Sequence, residues 1–148
     1  MKKAFLLFSF LLIGLLAIAQ NPCPQVIPAL QEWKGSKGTL HLPAQGSIII
    51  NPSDETALAS TAAILKNDLK ELMGWEYTII TGKAKKDGIY LSLSEPDEQL
   101  GKEGYELSIL NKASIQAPTA QGVFWGTRTL LQMLYRQDAK LAKGTTRD

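Results

Sequence analysis

The segment Gly122-Val-Phe-Trp-Gly-Thr-Arg-Thr-Leu-Leu-Gln-Met-Leu134 limits what this chain can fold into more than any other stretch. Val123, Leu130, Leu131 and Leu134, with Thr127 between them, recur at helical spacings, so one face of a helix must be buried. Arg128, Gln132 and Arg136, four apart, put a polar stripe elsewhere on the same helix, which makes it amphipathic and not a membrane span. Gly122 and Gly126 lie one turn apart. Glycine costs about 1 kcal/mol relative to alanine inside a helix, so the pair points to a first turn that must approach a neighbouring backbone closely. Upstream, Tyr105, Leu107 and Ile109 alternate with polar residues as a half-buried strand. Asn111-Lys112 turns the chain, and Ser114 to Ala117 begins a second short strand. Pro118-Thr119 ends that strand, and Thr119 is a good N-cap for the closing helix.

The rest of the chain supplies a sheet and a second helix. Pro22, Pro24 and Pro28 favour an extended lead-in over residues 20–37, with Val26, Ile27, Leu30 and Trp33 strapping it down. Gly35-Ser-Lys-Gly38 reads as a turn. Thr39 to Leu42 alternates as a short strand, and Ser47 to Ile50 is an apolar run that fits a strand covered on both faces. Ser53 is the expected N-cap of the longest helix, with Asp54 and Glu55 complementing its dipole. Leu58, Ala62, Leu65, Leu69 and Leu72 form that helix's apolar stripe, and Gly74 is placed to end it in a left-handed conformation. Lys66, Asp68, Lys70 and Glu71 face water. Trp75 to Ile80 and Ile89 to Leu93 are two further strands, the second with Ile89, Leu91 and Leu93 on one side. Hairpin-length connections and two one-striped helices predict an α+β fold: a mostly antiparallel mixed sheet with both helices packed on one face.

Taken together, Gly104-Tyr-Glu-Leu-Ser-Ile109, Ile115 to Ala117, Gly122 to Gly126, Thr129 to Leu134 and the segment Val26 to Trp33 resemble the non-catalytic N-terminal domain of glycoside hydrolase family 20, the β-N-acetylhexosaminidases. Relatives of that domain precede the barrels of other polysaccharide-degrading enzymes, family 84 among them. The resemblance spans about residues 26–136, and the order and spacing of its short motifs carry it. Arg128 departs from the pattern, which has an uncharged residue such as glutamine there. The resemblance implies a downstream barrel that removes terminal β-linked N-acetylhexosamine. In that barrel the substrate's own acetamido group is the nucleophile, an Asp orients it and a Glu is the acid/base, an exception to the two-carboxylate scheme. None of those residues is in this chain.

The compartment follows from the first residues. Lys2 and Lys3, an apolar run from Ala4 to Leu16 and the small-x-small site Ala17-Ile-Ala19 read as a secretory signal cleaved before Gln20. The expected location is therefore periplasmic or extracellular, with no stable membrane insertion after cleavage. Cys23 follows Gln20-Asn21-Pro22 and so does not fit a lipid-modified cysteine. Without Lys2 and Lys3, the 16 basic residues fall to 14, equal to the 14 acidic ones, and nothing in the charge argues for nucleic acid as a partner. Lys83-Ala-Lys-Lys86 reads as a solvated turn. One cysteine makes no intramolecular disulfide, so the core must hold the fold unaided.

The search for chemistry yields no catalytic, cofactor-binding or metal-ligating residues. Asp54-Glu55 resembles the adjacent acids of the family barrel, but it opens a helix and reads as dipole complement. Asp97-Glu98 falls in a solvated loop. His41 is the single histidine, and with Cys23 alone it assembles no standard zinc pattern. A Ser-His-Asp arrangement has no Gly-x-Ser-x-Gly elbow, and the glycines at 122 and 126 lack phosphate-loop spacing. Trp33, Trp75 and Trp125 read as core or interface residues before they read as a sugar platform.

The expected organisation is a signal at 1–19, a lead-in at 20–37, an accessory domain at 38–136 and a polar tail or truncated linker at 137–148. A barrel alone needs about 250 residues. The leading expectation is thus the accessory domain of an exported β-N-acetylhexosaminidase, its partners a catalytic barrel of the same polypeptide and, through it, a glycan. The alternatives are a stand-alone secreted carbohydrate-binding or interaction module, or the same domain from another glycosidase such as family 84. In the first, the exposed Arg128 and Gln132 stripe is expected to contact the barrel.

Overall fold

The computed structural model describes residues 20–148; the expected export signal at 1–19 lies outside them. Nine elements follow in order: β1 (Lys34–His41), β2 (Gln45–Ile50), α1 (Glu55–Met73), β3 (Glu76–Thr81), β4 (Ile89–Leu93), β5 (Glu106–Ile109), β6 (Ala113–Ala117), α2 (Ala120–Arg136) and β7 (Lys140–Arg147). All seven strands join one sheet in the order β1-β7-β5-β6-β4-β2-β3. The β1–β7, β7–β5 and β5–β6 pairs are antiparallel, and the β6–β4, β4–β2 and β2–β3 pairs are parallel. The fold is α+β with a mixed sheet. Its parallel share is larger than hairpin-length connections suggest, because α1 carries the chain back from the end of β2 to the start of β3, and such a crossover returns a parallel strand.

Two boundaries differ from the sequence reading. Gly35 to Gly38 is no separate turn: β1 already begins at Lys34, and its register shifts between Gly35 and Thr39. Residues 137–148 are no tail either. Lys140–Arg147 is an interior strand hydrogen-bonded to β1 on one side and β5 on the other. Its composition hid it, since Leu141 is its single large aliphatic residue. The remaining inward positions have partners that need no aliphatic side chain. Gly144 lies against the indole of Trp33, and a Cβ there would sit 2.4 Å from the ring. Thr146 donates its hydroxyl to the Glu32 carbonyl.

One face of the sheet carries the core. Ile48 and Ile50 from β2, Ile89 and Leu91 from β4, Leu107 and Ile109 from β5, and Ile115 from β6 alternate onto it, as a two-residue period requires. Seven strands about 4.8 Å apart span about 29 Å, and two helices of about 10 Å diameter cover only two-thirds of that. α1 lies over β2, β3 and β4, and α2 over β6, β4 and β5. The lead-in covers the remainder: Val26 is buried in the core, and Leu30 and Trp33 pack against it. Asn21 ties the lead-in to β1 and β7, with its side-chain amide donating to the Gly38 and Lys143 carbonyls at 2.7 and 3.0 Å. Ile49 points to the opposite face yet is fully buried. The loop from Gly82 to Gly88 covers it, with a Cβ on Gly88 falling 3.2 Å from Ile49 Cδ1.

One terminus of each helix forms as its sequence requires. Thr119 accepts the Gly122 N–H at 3.0 Å as the N-cap of α2. Gly74 closes α1 at φ 68°, its N–H donating to the Lys70 carbonyl. In α1 the stripe of Leu58, Ala62, Leu65 and Leu69 is buried, but Leu72 is exposed and Thr61 is buried instead. Among the described residues no helix is long and apolar enough to cross a membrane.

Candidate functional site

A cleft of about 1040 Å³ lies between the lead-in, the middle of α2 and the ends of β5 and β7. Asp148 is its hub. The Asp148 carboxylate accepts the Gln31 N–H at 2.5 Å and the Tyr105 hydroxyl at 3.1 Å. A carboxylate can only accept, so the phenol proton is committed to it, and the Thr129 hydroxyl, 2.7 Å away, donates to the phenol oxygen. Burial, the largest cause, pushes the Tyr105 hydroxyl well above its usual range, and the Asp148 charge adds to it while the Thr129 bond opposes it. The phenol is therefore a fixed donor throughout the physiological range. Two backbone hydrogen bonds between Tyr105 and Asp148, at 2.7 and 2.9 Å, complete the junction. These groups bind lead-in, sheet and α2 to one another, and the arrangement is one of positioning.

The polar stripe of α2 does the same. Gln132 faces Ile27 as a strand would: its Nε2 donates to the Ile27 carbonyl at 2.8 Å, and its Oε1 accepts the Ile27 N–H at 2.9 Å. Arg128 lies 4.8 Å from the centre of the Phe124 ring and donates to Asp68 of α1 at 2.5 Å. Asp68, expected to face water, thus joins the two helices. Arg128 and Gln132, expected as an exposed stripe, are thus each held by partners within the domain. Replacing Gln132 with alanine is expected to cost about 2 kcal/mol, for two lost hydrogen bonds of about 1 kcal/mol each. Urea unfolding measures the loss, and faster amide exchange at Ile27 locates it.

Asp54 is the residue that sequence reasoning misassigned. α1 begins at Glu55, after a 3-10 turn at Pro52–Asp54, and Ser53 makes no capping bond. Ser53 instead donates to Asp54 at 2.9 Å. Asp54 is buried, and its carboxylate accepts the Leu93 N–H at 2.9 Å and the Asn51 side-chain amide at 2.8 Å. It ties the start of α1 to the end of β4. Removal from water pushes this carboxyl up, but the bonds from Leu93, Asn51 and Ser53 together outweigh that and hold it below the ordinary carboxylate value. A depressed folded-state pKa contributes stability that is complete above the unfolded value of about 4 and is lost as pH falls through the folded one. Asp54→Ala, which orphans the Leu93 N–H, is expected to cost about 2 kcal/mol at pH 7. The difference from the parent, followed by denaturant unfolding, should shrink as pH falls below about 4.

The other candidates separate. His41 is exposed at the end of β1, opposite Lys140. Asp97 is paired with Arg147 and accepts the Gln99 N–H at 2.9 Å. Trp75 is buried and stacked on Tyr77, their centroids 5.9 Å apart, and the Trp33 indole donates to the Asn21 carbonyl. Trp125 alone is open, 42% exposed beside the cleft. The three tryptophans are therefore spread over different parts of the fold and form no platform. Among the described residues no three His, Cys, Asp or Glu side chains come together as a metal site.

One mixed sheet, backed by two helices and a proline-rich strap whose polar groups are committed to their own packing, defines an α+β domain. The chain belongs to glycosyl hydrolase family 20, domain 2, whose family model matches residues 23–148. It is 32% identical over 124 residues to a lacto-N-biosidase of Bifidobacterium bifidum, covering 82% of this chain and 11% of that protein. It superposes on the GH20 β-N-acetylhexosaminidase from Streptomyces coelicolor A3(2) with a TM-score of 0.65 and 25% identity, covering 88% of this chain and 27% of the enzyme. CpGH84D shares the fold, with a TM-score of 0.68 at 13% identity over 84% of this chain and 23% of that one. The chain thus spans about a tenth of the curated relative and about a quarter of these solved structures.

Proposed function

We propose that this chain is the N-terminal accessory domain of an exported β-N-acetylhexosaminidase, which hydrolyses terminal β-linked N-acetylhexosamine with a catalytic barrel C-terminal to it. The family match over residues 23–148 carries the reading, and it is supported by the small share of each solved enzyme that this domain occupies. The role of the domain is structural support of that barrel. Export rests on the signal pattern of the first 19 residues, with a periplasmic or extracellular destination.

The intact mass of the native protein, captured from its source cells with an antibody to this domain, tests the reading. A mass several times 16.2 kDa, with N-acetylhexosaminidase activity in the captured material, is the expected result. A species slightly lighter than 16.2 kDa would replace it with a stand-alone secreted module. The identity to a lacto-N-biosidase favours one second reading, in which the parent enzyme is a lacto-N-biosidase. Assaying the captured enzyme on substrates of both kinds decides between them.

A further inference from the structure

The face of the sheet opposite the helices is polar, and lysines border it. β3 and β4 flank β2 and are both parallel to it, so the chain leaving β3 must cross β2 to reach β4. α1 occupies one face, and a right-handed crossover takes the other. The connection runs the length of the strands there, from the Gly82 N–H on the Ile50 carbonyl at one end to the Asp87 N–H on the Asn111 carbonyl at the other. Lys83, Lys85 and Lys86 are exposed along it, as a ridge across the sheet and not as the isolated turn that their sequence suggests. Beyond the ridge, Tyr90, Ser114, Ser108, Thr145 and Lys34 stand opposite one another on five consecutive strands, a row about 19 Å long at about 4.8 Å per strand. Ser92, on the same face, is 8% exposed, and its hydroxyl has no hydrogen-bond partner among the described residues. Fully enclosed side-chain polar atoms there all have one, so the Ser92 hydroxyl still opens onto this face. Arg147 is taken up by Asp97 and Glu106, whereas Lys34, Lys83, Lys85 and Lys86 make no ion pair among the described residues. We propose that this face, between the lysine ridge and β1, binds a chain of an acidic polysaccharide, the four lysines meeting its acidic groups and the hydroxyl row with Ser92 bonding its hydroxyls. The inference deepens the function proposed above and rests on it for the choice of a glycan. A floor of small hydroxyls suits a polyhydroxylated chain, since each can both donate and accept. Unpaired lysines beside it raise the local concentration of an anionic partner. Ile49 is sealed under the ridge, so this stretch has no large aliphatic side chain to insert into a membrane.

Amine acetylation of the native protein, captured from its source cells, tests it, with each lysine read by mass spectrometry in the presence and absence of hyaluronan oligosaccharides. The ligand should slow acetylation of Lys83, Lys85 and Lys86 about fivefold, as four-fifths occupancy of the site requires, and leave Lys66 and Lys70 of α1 unchanged. Lys83→Gln, Lys85→Gln and Lys86→Gln together should weaken binding about tenfold, because three exposed charge contacts are lost. Ser92→Ala should weaken it about fivefold, the effect of one hydrogen bond, without lowering the urea midpoint, because Ser92 bonds nothing within the domain. A lowered midpoint would make Ser92 structural and overturn its part in the site. Equal protection by polyaspartate would overturn the proposal in favour of a bare polyanion surface, and protection by phosphatidylglycerol vesicles alone would do so in favour of a membrane. N-acetylhexosaminidase activity with no lysine protection would overturn this surface and leave the enzyme reading standing; lysine protection without that activity would do the converse.

Discussion

A chain ended at Gln137 is expected not to fold. β7 lies between β1 and β5, so its loss detaches β1 and leaves β5 with an open edge. Leu141, fully buried, contributes about 2 kcal/mol by burial alone. The ladders to β1 and β5, the Thr146–Glu32 contact and the whole Asp148 junction leave with it. The lead-in then loses Asn21's bond to Lys143 and the seat of Trp33 on Gly144, and the third of the sheet that it covers is opened to water. Losses of this kind approach the whole stability of a domain, about 5–15 kcal/mol. Circular dichroism during urea titration should show no cooperative transition in residues 20–137. A transition at nearly the denaturant concentration of the parent would refute the placement of β7.

Gly122→Ala should be strongly destabilising although it lies inside a helix. Inside a helix alanine is favoured by about 1 kcal/mol, so propensity alone predicts a gain. Packing predicts the reverse. An added Cβ would meet the Gly104 carbonyl oxygen at 2.3 Å and the Ala117 Cβ at 2.7 Å, and a backbone carbonyl cannot rotate away as a side chain can. The first turn of α2 must lift from the sheet, at a net cost of about 3 kcal/mol, the upper end of what overpacking usually does. Gly126, where a Cβ would sit 2.5 Å from Ile115 Cγ2, should respond in the same direction but less, because Ile115 has some freedom to shift. Gly82, with nothing within 4 Å, is the comparison: alanine there should leave the urea midpoint unchanged.

The two glycines of α2 show what a sequence displays well. They contradict local propensity, and the contradiction marks a contact. The stripes of both helices, the Thr119 cap and the Gly74 terminus are legible for the same reason: each rests on interactions within a few residues, so the pattern and its cause share a window. β7 does not. Its burial depends on Trp33 and Glu32, more than a hundred residues earlier, and no local period records a glycine that faces an indole from the other end of the chain. Asp54 failed for a related reason. Its position before a helix suggested a dipole interaction, whereas its partner, the Leu93 N–H, is brought to it by the sheet. Arg128 and Gln132 were legible as a stripe but not as clamps, since amphipathicity says that a face is polar and not whom it meets. Ile27, expected with Val26, Leu30 and Trp33 to strap the lead-in down, is exposed instead, because the burial of a hydrophobic side chain in an irregular segment is decided only once its neighbours are placed.

The closure of the sheet by its first and last segments bears on synthesis. Asn21 bonds Lys143 across 122 residues, and Gln31 bonds Asp148 across 117. Contacts of such long range cannot form until the distal residues have left the ribosome, and the loop they close is entropically costly until β7 pairs. The middle of the chain, β2 through α2, can gather local contacts early. The strap and β1, though made first, have no seat until the last strand arrives. A nascent chain built this way keeps its sheet open until β7 is made, and the unpaired edges of β1 and β5 stay exposed for that time.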